Sequence, residues 1–293
     1  MKKIGVIGIP GKWSSERLAD TLQQKTGFRL LMSIDELTFD LQKKTAFCRG
    51  QDLSELDALV IKKVGAVYSH HMLDRLALLD FINHNGVRIF SDPSAILKAV
   101  DRLTCTLLLR NGDIPVPETV ITENVEKALQ TVQNFGQAVF KPLFTSKARG
   151  MKVVQSGPEA LSDIEAFRIE NNPVMYIQKR VDIPGKDLGL VFLGGKYVAT
   201  YARVGDEESW NTTIHSGGKY APNDPCPELI DLAARAQNLF QLDFTCVDIA
   251  ETPDGPIVFE VSAFGGFRGL LEACNIDAAE LYAQYILDVI NHE

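Results

Sequence analysis

The 293-residue sequence lacks any CxxC pair, any excess of positive charge and any long apolar run. Each absence removes a class of protein. Cys48, Cys105, Cys226, Cys246 and Cys274 are scattered, so neither a zinc knuckle nor a disulfide framework is expected. A formal net charge of −8 argues against a general nucleic-acid-binding surface. No stretch approaches the roughly 18 apolar residues of a membrane span. Met1-Lys2-Lys3 leads into an apolar run broken at Gly8 and Pro10, unlike a signal peptide. Internal repeats and low-complexity tracts are missing too. With 45% hydrophobic and 23% charged residues, the expectation is a soluble α/β chain of the reducing cytoplasm, without nucleic acid or membrane as partner. Its length suffices for two or three small domains.

Two glycine-rich phosphate-binding patterns are lacking as well. In "GVIGIPGKWS" the P-loop would need Gly at Val6 and Ser or Thr at Trp13. The dinucleotide fingerprint also misses, because the glycines run Gly5, Gly8, Gly11. A strand-to-helix turn explains these glycines. A dinucleotide-dependent oxidoreductase would rest on them alone.

Strands and helices alternate over the first 90 or so residues, which suggests a small parallel sheet. "KKIGVIGIPG" reads as a strand and turn. "SSERLADTLQQKTG" reads as a helix with Ser14 or Ser15 as its cap and Gly27 just past its end. "RLLMSI", "ALVIKKV" and "RIF" read as further strands, with a helix from about His71 to Asn83. "SDPSAILKAVDRLTCTLLLRNG" is expected to form one long helix capped by Asp92, with Pro93 in its first turn. Beyond "DIPVPET" come a helix near 124–135, strand "QAVFKP", strand "MKVVQS", a helix near 158–170 and strand "VMYIQKRV". The basic loop between the first two of these strands suits a hairpin. "LGLVFLGG" and "KYVATYARV" form a second hairpin through Gly194-Gly195. A helix over 226–240 precedes a third hairpin, and "DAAELYAQYILDVI" closes the chain as a helix.

That third hairpin, "FTCVDIAETPDGPIVFEVSAFGG", carries the chemistry. A hairpin centred on Asp254 sets Asp248, six residues before, opposite Glu260, six after. Their Cβ atoms would then lie about 4.5–5.5 Å apart on one face, shared with Ser262. Both acids interrupt apolar runs, and a buried carboxylate needs a partner. Opposed like charges repel unless a cation lies between them, and oxygen donors suit Mg²⁺ or Mn²⁺. A surface hairpin with solvated acids is the alternative. A one-residue slip would turn Glu260 to the other face.

Upstream, Lys141 ends a strand, and the loop after it carries Lys147, Arg149 and Gly150. A lysine beside such a loop can hold a polyphosphate, with the loop closing as a lid. Solvated surface cations are the alternative, for these and for Arg203. His215, in "NTTIHSGGKY", is a candidate for proton transfer or a structural histidine at a Gly-Gly turn.

In this order, the lysine, the basic loop, "IHSGG" and "VDI…GPIVFEVSA" resemble the ATP-grasp superfamily, and most of all its RimK-like amino-acid (glutamate) ligases. The resemblance is strongest from about Ser91 to Asp277. It implies an α/β pre-ATP-grasp domain over 1–92, followed by an α+β ATP-grasp fold of two subdomains, 93–182 with the lid and 183–293 with the metal site. It also implies an ATP-dependent carboxylate–amine ligase that uses Mg²⁺ or Mn²⁺, forms an acyl phosphate, and acts on small-molecule or peptide substrates, with self-association common. A nucleotide-binding protein without ligase activity is the alternative. By the resemblance, Lys141 and Arg102 contact phosphate, Asp187 lies at the nucleotide, and Asp248, Glu260 and Ser262 are metal ligands. Arg203 would stabilise acyl-phosphate or oxyanion charge. Gln178, Lys179, Lys147, Arg149 and Asn211 complete the expected nucleotide site. The sequence departs from the family pattern at Ser262, where asparagine is usual, and at "AFGGFRG", which replaces "ASPGxxG".

Overall fold

The computed structural model describes residues 2–146, 148–183, 185–205 and 218–292. Its N-terminal layer is a parallel sheet of β1 (Ile4–Ile7), β2 (Leu30–Met32), β6 (Ala58–Ile61) and β7 (Arg88–Phe90), in the order β2-β1-β6-β7. Strands buried on both faces need continuous apolar runs, which "IGVI" and "ALVI" supply. Between β2 and β6 runs a small antiparallel sheet of β3 (Thr38–Asp40), β4 (Thr45–Cys48) and β5 (Gln51–Asp52). Helix α1 (Trp13–Thr26) ends at Gly27, which takes the left-handed conformation expected of it. Its cap is Lys12, not Ser14 or Ser15. Ser15 turns inward instead, where its Oγ accepts the Ile9 N–H at 3.0 Å in a space that a Cβ on Gly8 would fill.

Helix α2 (His71–His84) follows as expected. The single long helix expected after β7 is two. Asp92 caps α3 (Pro93–Val100) through the Ser94 and Ala95 N–H groups. Asp101 then takes an extended conformation and caps α4 (Arg102–Asn111) through Leu103 N–H at 3.1 Å. An aspartate that can satisfy free N–H groups favours ending one helix and starting another. The break lets both helices pack against the third hairpin, described below.

Residues 119–179 build an antiparallel sheet, β10-β9-β11-β8, from β8 (Thr119–Thr122), β9 (Gln137–Lys141), β10 (Lys152–Gln155) and β11 (Met175–Lys179). Strands β9 and β10 are the expected hairpin. Helices α5 (Val125–Phe135) and α6 (Ala160–Ile169) cover one face over Ala138, Phe140, Met175 and Ile177. The other face carries Val139, Lys141, Tyr176 and Gln178.

The last sheet runs β14-β13-β12-β15-β16, with β12 (Lys186–Leu193), β13 (Lys196–Val204), β14 (Lys219–Pro222), β15 (Phe244–Thr252) and β16 (Gly255–Ser262). Helix α7 (Pro227–Asn238) packs on one face. Helices α8 (Phe267–Cys274) and α9 (Ala278–His292) pack on the other, where α9 also meets α1. Among the described residues no helix is long and apolar enough to cross a membrane.

The β15–β16 hairpin reaches its register by an unexpected route. Its turn has two residues, with Thr252 paired to Gly255, so a regular ladder would set Phe259 opposite Asp248. A bulge between Asp248 and Ile249 absorbs one residue, and Asp248 pairs with Glu260. Replacing the helix-breaking cap, Asp101→Ala, is expected to cost about 1 kcal/mol, read as a lower urea midpoint with unchanged slope.

Candidate active site

Strand pairing sets one band of side chains across the last sheet. Arg203 lies opposite Asp187, Gly189 opposite Asp248, and Asp248 opposite Glu260. The Arg203 guanidinium grips Asp187 through Nε, at 3.0 Å to Oδ2, and through Nη2. The same Nη2 reaches Asp248 Oδ1 at 3.0 Å. All three side chains are nearly out of solvent, at 17%, 8% and 15% exposure for Arg203, Asp187 and Asp248. Burial opposes the charge on Arg203, but Asp248 and Asp187 together hold its pKa well above the ordinary value. Burial pushes the Asp248 carboxyl up to about 7 against the pull of Arg203, and Glu260 and Asp187 add to the rise. One arginine therefore faces three acids.

Glu260 is exposed rather than buried, contrary to the expectation from its apolar neighbours. The bulge accounts for this, because it turns Glu260 into the open cleft while Val258 and Val261 stay in the core. Ser262 shares the face one pair along, opposite Cys246 and beside Gly265. Among the described residues no cluster of three His, Cys, Asp or Glu side chains is built to hold a metal. Asp248, Glu260 and the Ser262 hydroxyl remain, an all-oxygen donor set that fits a hard divalent ion completed by ligand oxygens.

The facing wall comes from the 119–179 sheet. Lys141 Nζ donates to Gln178 Oε1 at 2.5 Å and lies 5.5 Å from the centre of the Phe259 ring. Gln178 is buried and donates in turn to Thr119 Oγ1 and the Tyr176 hydroxyl, which fixes its acceptor toward Lys141. Burial pulls the Lys141 amine down to about 7; Arg102 acts in the same direction and Glu260 opposes it. Arg102 spends its donors on the base of the 142–151 loop, at the Pro142 carbonyl, the Thr145 carbonyl and Thr145 Oγ1. Burial lowers its pKa as well, again with Glu260 opposing. Lys141, Arg102 and Glu260 thus sense one another across the cleft.

Other expected nucleotide residues fall elsewhere. Lys179 alternates onto the opposite face of β11 and pairs with Glu118 at 2.6 Å, so its side chain is not part of the cleft wall. Arg149 is exposed, in turns between Ser146 and Met151. Asp187 directs both carboxylate oxygens at Arg203 and so orients the arginine. Lys147, Asn211 and His215 lie outside the described residues.

Sequence reasoning missed the contribution of the N-terminal layer. Lys62, 2% exposed at the exit of β6, donates to the Phe264 carbonyl at 2.9 Å and lies 3.9 Å from the centre of the Phe267 ring. Lys63 lies over the Phe264 ring and Tyr68 meets its edge. Burial raises the Tyr68 pKa, and nearby Glu260 raises it further. A lysine closing the apolar run "ALVIK" was the available signal. Tyr68 carried none.

A family profile described as a RimK-like ATP-grasp domain matches residues 99–286. The chain is 27% identical to a tetrahydromethanopterin:alpha-L-glutamate ligase of Methanosarcina acetivorans, over 99% of this chain and 100% of that protein. It is also 27% identical to a probable alpha-L-glutamate ligase of Syntrophotalea carbinolica, over 85% of this chain and 82% of that one. A RimK domain ATP-grasp protein of Sphaerobacter thermophilus superposes with a TM-score of 0.76 at 19% identity, covering 97% and 98% of the two chains. The ATP-grasp ligase PsnB, solved with a precursor variant, Mg and ADP, gives 0.75 at 18% identity, covering 99% of each. At such identities the likeness establishes the fold.

The lowered Lys141 pKa sets a pH dependence. The amine is charged below about 7, and an anion beside it would raise its pKa, so binding takes up a proton between about 7 and the ordinary lysine value near 10.4. Metal-free ADP affinity is therefore expected to fall as pH rises above 7. Calorimetry in buffers of different ionisation enthalpy should show proton uptake in the wild type and clearly less in Lys141→Met, where the Asp248 carboxyl is the group left to titrate near 7.

Proposed function

This chain belongs to the RimK-like ATP-grasp family and is an ATP-dependent carboxylate–amine ligase, and from that premise we propose that Lys141 and Arg102 receive the phosphates of ATP while Asp248, Glu260 and Ser262 hold its Mg²⁺. Mn²⁺ meets the same oxygen donors. The observation that carries this reading is the pairing of Asp248 with Glu260, with one arginine shared between Asp248 and Asp187. Three acids against one arginine leave negative charge at the cleft, and a divalent cation removes it.

When bound, the cation supplies neutralisation of charge on the transferring phosphates. The protein's part is positioning. A carboxylate oxygen of the substrate attacks the γ-phosphorus; the bond from that phosphorus to the bridging oxygen breaks, and ADP leaves. The acyl phosphate then meets the amine, which attacks the acyl carbon, loses a proton and expels phosphate. Arg203 is held by Asp187, and its charge opposes the negative charge that grows on the acyl oxygens. The 142–151 loop, tied at its base by Arg102, would close over the phosphates and keep water from the acyl phosphate.

Relatives named as glutamate ligases support L-glutamate as one of the two substrates. The acceptor is then a small molecule or a peptide, the second class being supported by the peptides bound in structurally similar ATP-grasp ligases. ADP release driven by L-glutamate with a carboxylate acceptor panel tests the reading. Asp248→Asn and Glu260→Gln are each expected to slow it by about a hundredfold or more, without loss of the folded state. Turnover at the wild-type rate in both variants would remove the basis of the proposal.

A further inference from the structure

The Asp248 carboxylate has a second set of neighbours, and they reach it from the core. Cys246, two residues earlier on β15, places its Sγ 3.7 Å from Asp248 Oδ1 as donor. Behind it, the Tyr201 hydroxyl lies 3.3 Å from that sulfur. Arg203 meets Oδ1 as well, at 3.0 Å. Both contacts converge on one oxygen, and among the described residues none is found on Oδ2. The fold reserves the space for this arrangement. A Cβ at Gly189 or at Gly269 would lie 2.5 Å from the Tyr201 ring, so the phenol is clamped between β12 and α8 by two glycines. Tyr220 meets the ring edge-on at 5.3 Å between centres, and the Arg203 guanidinium lies 5.9 Å from its centre.

We propose that Tyr201 and Cys246 are positioning residues for the metal: the chain from phenol to thiol to Oδ1 fixes the rotation of the Asp248 carboxylate, so that Oδ2 is the oxygen given to the cation. The phenol donates to the sulfur and the thiol donates to Oδ1, so the chain has one direction. Groups that orient a ligating carboxylate from behind set metal affinity without touching the metal. The clamp also ties Asp248 to α8, whose first residues, Phe267, Arg268 and the clamping Gly269, are the end of the divergent "AFGGFRG" segment. Changes in that segment would therefore reach the metal site through Tyr201. This inference rests on Asp248 being a metal ligand.

Calorimetric titration with ADP, in EDTA and in Mg²⁺, separates the contributions. Wild type should bind Mg²⁺·ADP more tightly than ADP alone. Tyr201→Phe keeps the ring between its glycines and removes one oxygen; it should weaken Mg²⁺·ADP binding about threefold, and Cys246→Ala about tenfold. Both should leave metal-free ADP affinity at the wild-type value. Cys246→Ser, which keeps a donor, should recover most of the loss. Wild-type Mg²⁺·ADP affinity in Tyr201→Phe and Cys246→Ala would overturn the inference alone, as would equal losses with and without metal. A wild type that binds ADP equally with and without Mg²⁺ would instead overturn the reading of Asp248 on which it rests.

Discussion

One arginine shared between a buried aspartate, Asp187, and a largely buried one, Asp248, governs the architecture of this site. Arg203 cannot neutralise Asp187, Asp248 and Glu260 together, and burial makes the shortfall costly. Had the sheet placed a second basic side chain in this band, the acids would form a closed structural network. It places Gly189 there instead, opposite Asp248, and opens the remaining acid toward the cleft. One wall is left short of positive charge and faces two half-buried cations on the other, the charge pattern that the proposed metal–polyphosphate would complement.

The surrounding fold keeps these opposite charges from collapsing onto one another. Lys141 is held by Gln178, which Tyr176 and Thr119 hold in turn. Arg102 is tied to the loop carbonyls. Arg203 is pinned by Asp187. Each cation therefore has a local partner, and Glu260 stays free to face the cleft. The N-terminal layer contributes from a third side, gripping Phe264 through Lys62, Lys63 and Tyr68 only two residues beyond Ser262. Lys62 and Lys63 leave β6 beside the end of β1, with both N–H groups on the Ile7 carbonyl. That is the carboxyl end of a parallel sheet, where ligands commonly bind.

Much of this was legible because it depends on local periodicity. The alternation of "FTCVDIAET" and "GPIVFEVS" identifies a hairpin, and its turn brings Asp248 and Glu260 to the same level. Asp248 and Glu260 do pair, but by a different route: the actual turn is one residue tighter and a bulge restores the register. Bulges depend on packing of the finished sheet, which no single strand encodes. The same limit explains α3 and α4, where Asp101 serves as a cap although the apolar periodicity runs through it. Lys179 was misplaced because counting along a segment finds neighbours but not faces; on β11 only alternate residues see the cleft. Tyr201 and Cys246 were silent, since their partners lie far away in sequence and two glycines, on β12 and α8, make room for the ring.

The most direct test is where a divalent ion settles. A crystal of this protein grown with Mn²⁺ and ADP would show the ion by its anomalous scattering. The expected result is a peak about 2.1–2.2 Å from one oxygen each of Asp248 and Glu260 and from a phosphate oxygen of the nucleotide. A peak held by phosphate and water alone, with Glu260 still in solvent and Asp248 still engaged only by Arg203 and Cys246, would contradict the central claim.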